Sequence, residues 1–189
     1  MTHAIRFKNL VIYRFTQPFE LTGEQLEEQL QQKTFRACGS QDVSTYGWVP
    51  ALGKTATALV HEVNGCLLVC AAKEEKLLPA SVITDALEEK IDAIEQEQDR
   101  TVFSKERRAL KDDIIMELLP KAFTKTVFTR AYVDQRNGWL IVNASSFNQA
   151  EQLTSCLREC LGSLPIINPP LTNAPVSYTH LTLPTKRIV

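Results

Sequence analysis

Apolar and polar positions alternate over residues 5–15, IRFKNLVIYRF, and predict a first strand in which Phe7, Tyr13 and Phe15 are β-favouring. A helical period then takes over. Leu21, Leu26 and Leu30 form one apolar stripe, with Thr22 placed as N-cap and Gln25 at the capping-box position three residues on. The turn-rich stretch 38–50, CGSQDVSTYGWVP, leads into a short strand around Trp48. β-prone runs at 57–63 and 66–72 flank Asn64-Gly65, and runs at 127–133 and 139–143 flank Asn137-Gly138. Asn-Gly between such runs predicts a hairpin, because a type I′ turn needs positive φ at both central residues.

Between the two hairpins the pattern is helical. Val82, Ile83, Ala86, Leu87, Ile91 and Ile94 make an apolar stripe after Pro79, with Ser81 or Thr84 as cap and an acidic outer surface from Glu88 to Asp99. A second helix starts near Ser104, shows Leu110, Ile114, Ile115, Leu118 and Leu119 as its apolar face, and ends at Pro120. A further helix is predicted over 147–161, capped by Ser145 or Ser146 and stopped by Gly162, before a short strand at 164–167. The two flanks are loosely similar in element order, without a sequence repeat. The expected fold class is α+β: a β-rich central body with packed helices from 1–76 and 124–168, and an inserted arm of two antiparallel helices at 77–123. Residues 169–189 read as a linker and an unstructured tail.

Composition places the chain among ordinary globular proteins: 189 residues, 44% hydrophobic and 23% charged, with a formal net charge of -1. With no global basic field, any polyanion site has to be a local patch offset by acidic surface elsewhere. No apolar run approaches the roughly 20 residues that span a bilayer, and the N-terminus lacks a signal-peptide pattern. Five cysteines without framework spacing fit free thiols in a reducing compartment, so a cytoplasmic location is expected.

Catalytic and metal motifs are sparse. Cys66 and Cys70 on one strand face are about 13 Å apart at roughly 3.3 Å per residue, too far to share a metal. Cys156 and Cys160 read as small core side chains, and His3, His61 and His180 are scattered. Gly53-Lys54-Thr55 lacks the upstream glycine of a phosphate loop, since Trp48 stands there. No cofactor and no metal site is expected. A thiol-dependent enzyme using Cys38 would need a depressed pKa that nothing nearby in sequence supplies.

The segment 121–136 is different. Lys121, Lys125, Arg130 and Arg136 interleave with Phe123, Phe128 and Tyr132, a mixture suited to phosphate contact and base stacking. Composition alone favours a plainer reading, a strand with core aromatics and solubilising cations. Phe123, just beyond Pro120, is either exposed for a protein contact or tucked beneath the helix pair.

Several phrases in order between about residues 5 and 167 resemble the RdgC family of bacterial recombination-associated proteins. They are Phe7-Lys8-Asn9-Leu10 with Tyr13, Cys38-Gly39-Ser40-Gln41-Asp42, Gly47-Trp48-Val49-Pro50, and Lys73-Glu74-Glu75-Lys76 followed by Leu78-Pro79. Then come Leu118-Leu119-Pro120-Lys121-Ala122-Phe123, Asn137-Gly138, and Leu157-Arg158 with Leu161-Gly162-Ser163-Leu164-Pro165. The resemblance implies a non-enzymatic, nucleoid-associated DNA-binding protein whose homodimeric ring encircles duplex DNA with little sequence preference. Such proteins also bind single strands and restrain recombinase-driven strand exchange. Phosphate contacts are then expected from Lys121, Lys125, Arg130 and Arg136, with Lys73 and Lys76 behind them, and a dimer contact from Phe123 at the arm. Family members continue well past residue 169, whereas the ending VSYTHLTLPTKRIV resembles nothing in the family and reads as foreign sequence. The chain is therefore expected to be a fragment with weakened DNA affinity. The alternative is a protein–protein interaction module acting on recombination or replication factors without touching DNA.

Overall fold

The computed structural model describes residues 7–53 and 55–169. Residues 5 and 6 of the first predicted strand, Lys54, His3, His180 and the tail from 170 onward lie outside them. The fold is α+β, built on a seven-stranded antiparallel sheet with four α-helices.

Strand β1 (Leu10–Phe15) starts later than the alternation suggested. Helix α1 (Gly23–Gln31) carries the predicted capping box: the Thr22 hydroxyl accepts from the Gln25 amide, and the Gln25 side-chain oxygen accepts from the Thr22 N–H. Strands β2 (Ser44–Val49), β3 (Val60–Val63) and β4 (Cys66–Lys76) follow. Asn64 and Gly65 adopt φ of 53° and 80°, the two-residue turn that the dipeptide dictates, with Val63 facing Cys66. Strand β4 is long enough to pair β3 with its first four residues and β2 with the next ones.

Helices α2 (Ala80–Gln98) and α3 (Ser104–Leu118) come next, and a 3-10 turn at Leu119–Lys121 accommodates Pro120. Neither helix uses a side-chain cap. Ser81 and Thr84 both fall inside α2, where the Thr84 hydroxyl donates to the Ala80 carbonyl, and Pro79 occupies the N-cap position. Leu87, Ile91 and Ile114 are buried between the helices, flanked by Ala86, Val102, Leu110 and Leu118. Every member of this cluster belongs to α2, α3 or the turn between them. At the far turn the Arg100 guanidinium grips both Glu106 carboxylate oxygens at 2.7 Å, and the Val102 N–H donates to Glu95.

Strand β5 (Thr124–Asp134) then pairs with β4 along its whole length, from Lys76↔Thr124 to Cys66↔Asp134. The helix pair is thus inserted between two paired strands, and its root is closed by the Leu77 N–H donating to the Phe123 carbonyl at 2.8 Å. The turn to β6 (Trp139–Asn143) departs from expectation. Asp134 faces Trp139, so four residues form the loop, and of Asn137 and Gly138 only Gly138 has positive φ. The Asp134 carboxylate shapes this loop by accepting from both the backbone and the side-chain amide of Asn137. Helix α4 (Phe147–Leu161) is capped by Ser146 and ends at Gly162, where φ is 74°. Strand β7 (Ile166–Ile167) pairs with β1.

The sheet order is β2-β4-β5-β6-β1-β7, with β3 also on β4. Helices α1 and α4 lie on one face. Leu26, Leu30, Ala150, Leu153 and Leu157 bury there against Tyr13, Leu67, Val69, Ala131, Val133, Leu140 and Val142. Trp48 belongs to this core and its indole N–H donates to the Cys160 sulfur at 3.3 Å, so Cys160 acts as a buried acceptor. No helix of the described residues is long and apolar enough to cross a membrane.

This division of burial sets the cost of truncation. Leu153→Ala empties space in the closed core and should lower unfolding free energy by about 2–5 kcal/mol. Phe123→Ala, at a side chain left 84% exposed, should change it by less than about 0.5 kcal/mol. Urea denaturation of both variants checks the contrast.

Candidate nucleic-acid interface

Because side chains alternate along a strand, the face opposite α1 and α4 is fixed by register. It presents Leu10, Ile12 and Arg14 from β1, Trp139, Ile141 and Asn143 from β6, and Phe128, Arg130, Tyr132 and Asp134 from β5. From β4 it presents Leu68, Cys70, Ala72, Glu74 and Lys76. No helix covers this face among the described residues. Leu10, Ile12 and Phe128 are exposed, while Tyr132, Trp139 and Ile141 are half-buried. The Arg14 guanidinium lies 5.4 Å from the centre of the Trp139 ring, and Phe7 meets Tyr132 edge-on at 5.3 Å.

Three cations, Arg14, Lys76 and Arg130, share this face with two carboxylates. Glu74 accepts from the Cys38 N–H at 2.6 Å, and that bond holds its pKa below the usual glutamate value. Asp134 is committed to the hairpin loop through Asn137. Among the described residues no carboxylate lies within ion-pair distance of Arg14, Lys76, Lys125, Arg130 or Arg136. Exposed acids Glu24, Glu28, Glu151 and Glu159 stand on α1 and α4, on the other side of the sheet. This face thus carries three cations against two carboxylates that are engaged in hydrogen bonds, while α1 and α4 present exposed acids on the other side.

The six basic positions expected to contact phosphate are not gathered on one surface. Lys125 and Arg130 are five residues apart on β5, and period two sends them to opposite faces. Lys125 faces Glu75 on the helix side, where Lys73 also pairs with Glu75 at 2.9 Å. Lys76 and Arg130 share the open face. Lys121, in the 3-10 turn, is exposed and 3.9 Å from Glu117. Arg136 sits in the β5–β6 loop and reaches over the other hairpin: a Cβ on Gly65 would come within 2.9 Å of its Nε. Phe123 is exposed where the helix pair joins the sheet, and the pair's far turn carries another exposed aromatic, Phe103. Arg14 and Trp139 are the residues sequence reasoning missed. The signal was present in β1, whose Leu10, Ile12 and Arg14 alternate with the core residues Val11, Tyr13 and Phe15, leaving apolar side chains on both faces.

Cys70, Cys156 and Cys160 are buried, while Cys38 and Cys66 are partly exposed. Burial pushes Cys156 up to about 12 and Cys70 to about 11. The Cys38 sulfur donates to the Glu74 carbonyl at 3.4 Å. Among the described residues no three His, Cys, Asp or Glu side chains converge on a point that could hold a metal ion.

Comparison with known proteins places the chain. The family described as "Putative exonuclease, RdgC" matches residues 5–182. "Recombination-associated protein RdgC" of Aeromonas hydrophila is 48% identical over 169 residues, covering 89% of this chain and 56% of that protein. The protein of the same name from Tolumonas auensis is 47% identical with the same coverage. That from Shewanella oneidensis is 50% identical over 161 residues, covering 85% of this chain and 53% of the relative. The chain spans about half the length of the curated relatives it matches.

The Asp134 loop gives a pH test with a definite sign. The Asn137 side-chain and backbone hydrogen bonds lower the Asp134 pKa from the ordinary 3.8. A depressed carboxyl contributes stability that is present above its unfolded pKa and lost as pH falls through the folded one. Proton resonances of the Asn137 amides should therefore titrate with a midpoint below 3.8, and Asp134→Ala should abolish that titration.

Proposed function

The chain belongs to the RdgC family, and we propose that it binds DNA through phosphates, without sequence preference, as part of a recombination-associated protein. In the full-length protein this activity would take the form of a homodimeric ring around duplex DNA that restrains recombinase-driven strand exchange and associates with the nucleoid. The observation that carries the reading is the sheet face that, among the described residues, no helix covers and on which Arg14, Lys76 and Arg130 stand outside any ion pair. Free guanidinium and ammonium groups on a surface without a base-reading helix suit backbone contact, which positions DNA without reading it. Lys121 and Arg136 extend the cationic surface beyond the ends of the sheet. Lys73 and Lys125, on the helix side, take a secondary place.

Action by binding rather than by catalysis is part of this proposal. Phe123, with Leu77 exposed beside it at the root of the helix pair, is the proposed contact to a second copy. A second reading, an interaction module that never touches DNA, is favoured by the exposure of Phe103 and Phe123 at opposite ends of the helix pair.

Titrating a labelled random-sequence duplex across salt separates these readings. Neutralising Arg14, Lys76 and Arg130 together should weaken binding and flatten the log–log salt slope by roughly 3, at about 0.9 per lost phosphate contact. The Lys73→Ala/Lys125→Ala pair should leave the slope within one contact of the parent. The duplex should be recovered uncut with magnesium present. Absence of binding at low salt favours the interaction module. For the dimer contact, sedimentation should show self-association of the full-length protein that Phe123→Ala weakens by at least tenfold.

A further inference from the structure

On the open face β4 and β2 contribute small side chains where β5 contributes large ones. Two register rows make this plain: Gly47–Ala72–Phe128, and Val49–Cys70–Arg130. The result is a trough over β4 and β2, walled on one side by Phe128 and Arg130. The other wall is Phe35, on a segment that runs along the outer edge of β2. The Trp48 N–H donates to the Lys33 carbonyl and the Phe35 N–H to the Trp48 carbonyl, both at 2.9 Å. Gly47 is what allows this approach, since a Cβ there would lie 2.6 Å from the Phe35 backbone. Pro50 and Gly53 close the end, giving a cavity of about 360 Å³ lined by Phe35, Val49, Pro50, Gly53, Cys70, Phe128 and Arg130.

The lining is mostly apolar, yet it holds one charge that nothing in it neutralises. Arg130 Nε is buried without a hydrogen-bond partner, and no carboxylate lines the cavity among the described residues. An orphaned guanidinium N–H beside an aromatic wall suits an occupant that joins a flat ring, apolar on its faces, to a neighbouring anionic group. Phe128 leaves 47% of its surface free to stack on such a group.

We infer that this trough receives one unpaired nucleobase of a DNA strand, stacked against Phe128, with the adjoining phosphate held by Arg130. The inference rests on the DNA-binding reading above and adds to it a site that discriminates single strands from duplex. Bases of intact duplex are stacked and paired and cannot enter, whereas an unpaired strand can turn one base in without paying for melting. The site reads no base identity, because every base offers a π-face and, among the described residues, the walls offer Arg130 as their only charged donor.

The test uses the whole chain with three probes of equal length: an oligo-dT strand, an abasic deoxyribose-phosphate strand, and a random duplex. The parent should hold oligo-dT more tightly than the abasic strand. Phe128→Ala should lose about tenfold in oligo-dT affinity, in the range of a single lost base stack, with abasic and duplex affinities unchanged within about twofold. Phe128→Tyr, which keeps the ring, should restore the preference, and circular dichroism should show both variants folded. Equal oligo-dT binding by the parent and Phe128→Ala overturns the base site. Duplex binding that persists beside that result leaves the broader reading standing, whereas loss of all three probes by the parent overturns both. Capture of a Glu-rich apolar peptide by the parent but not by Phe128→Ala, with no base preference, assigns the trough to a protein partner instead.

Discussion

The pairing of β4 with β5 over eleven residues each is the constraint from which the other features follow. An antiparallel ladder of that length admits one register, because a slip of β5 by one residue against β4 would turn Ala131 and Val133 out of the core and bring Arg130 and Tyr132 into it. Once it is set, one face must be covered, and α1 and α4 supply the cover. The ladder also provides a base for the inserted helices: strands that are hydrogen-bonded up to Lys76 and Thr124 hold the ends of residues 77–123 close together. Closing a long insertion costs little beyond a short one when its ends are already pinned.

Much of this was legible in the chain. The Thr22–Gln25 capping box, the Asn64-Gly65 turn and the stop at Gly162 depend on interactions within a few residues, and each is found where local chemistry puts it. Asn137-Gly138 shows the limit. The same dipeptide gives a longer loop because Asp134, three residues before Asn137, captures both of its amides, and because the Phe15 N–H from β1 takes the Gly138 carbonyl. The unused caps Ser81 and Thr84 fail for a related reason. Pro79 stands at the N-cap, so α2 begins upstream of both, and Ser81 and Thr84 fall inside the helix rather than at its start.

The site was legible only in part, and the reason is geometric. A list of cations in 121–136 treats a strand as a line, whereas a strand has two sides. The odd spacing of Lys125 and Arg130 was enough to separate them, had the strand expected over 127–133 been extended back to Lys125. Which side stays bare depends on where α1 and α4 pack, and that is settled by contacts more than 100 residues apart, such as Trp48 with Cys160. Arg14 lies on the bare side through pairing with Trp139, a partner that no local pattern names.

Leaving one face of a sheet apolar and without a helix is costly unless something else occupies it. Leu10, Ile12, Ile141, Tyr132, Leu68 and Phe128 would merely favour aggregation if they formed an unbroken patch. Here they are divided by Arg14, Arg130 and Asn143 into smaller areas, and Arg14 covers part of Trp139. That arrangement suits a ligand with alternating apolar and anionic parts better than it suits a uniformly apolar partner. A nucleic-acid strand has this alternation built into its backbone and bases. The spacing of guanidinium groups and rings across β1, β6 and β5 is therefore a stronger argument for phosphate contact than the count of basic residues, which the net charge of -1 makes uninformative.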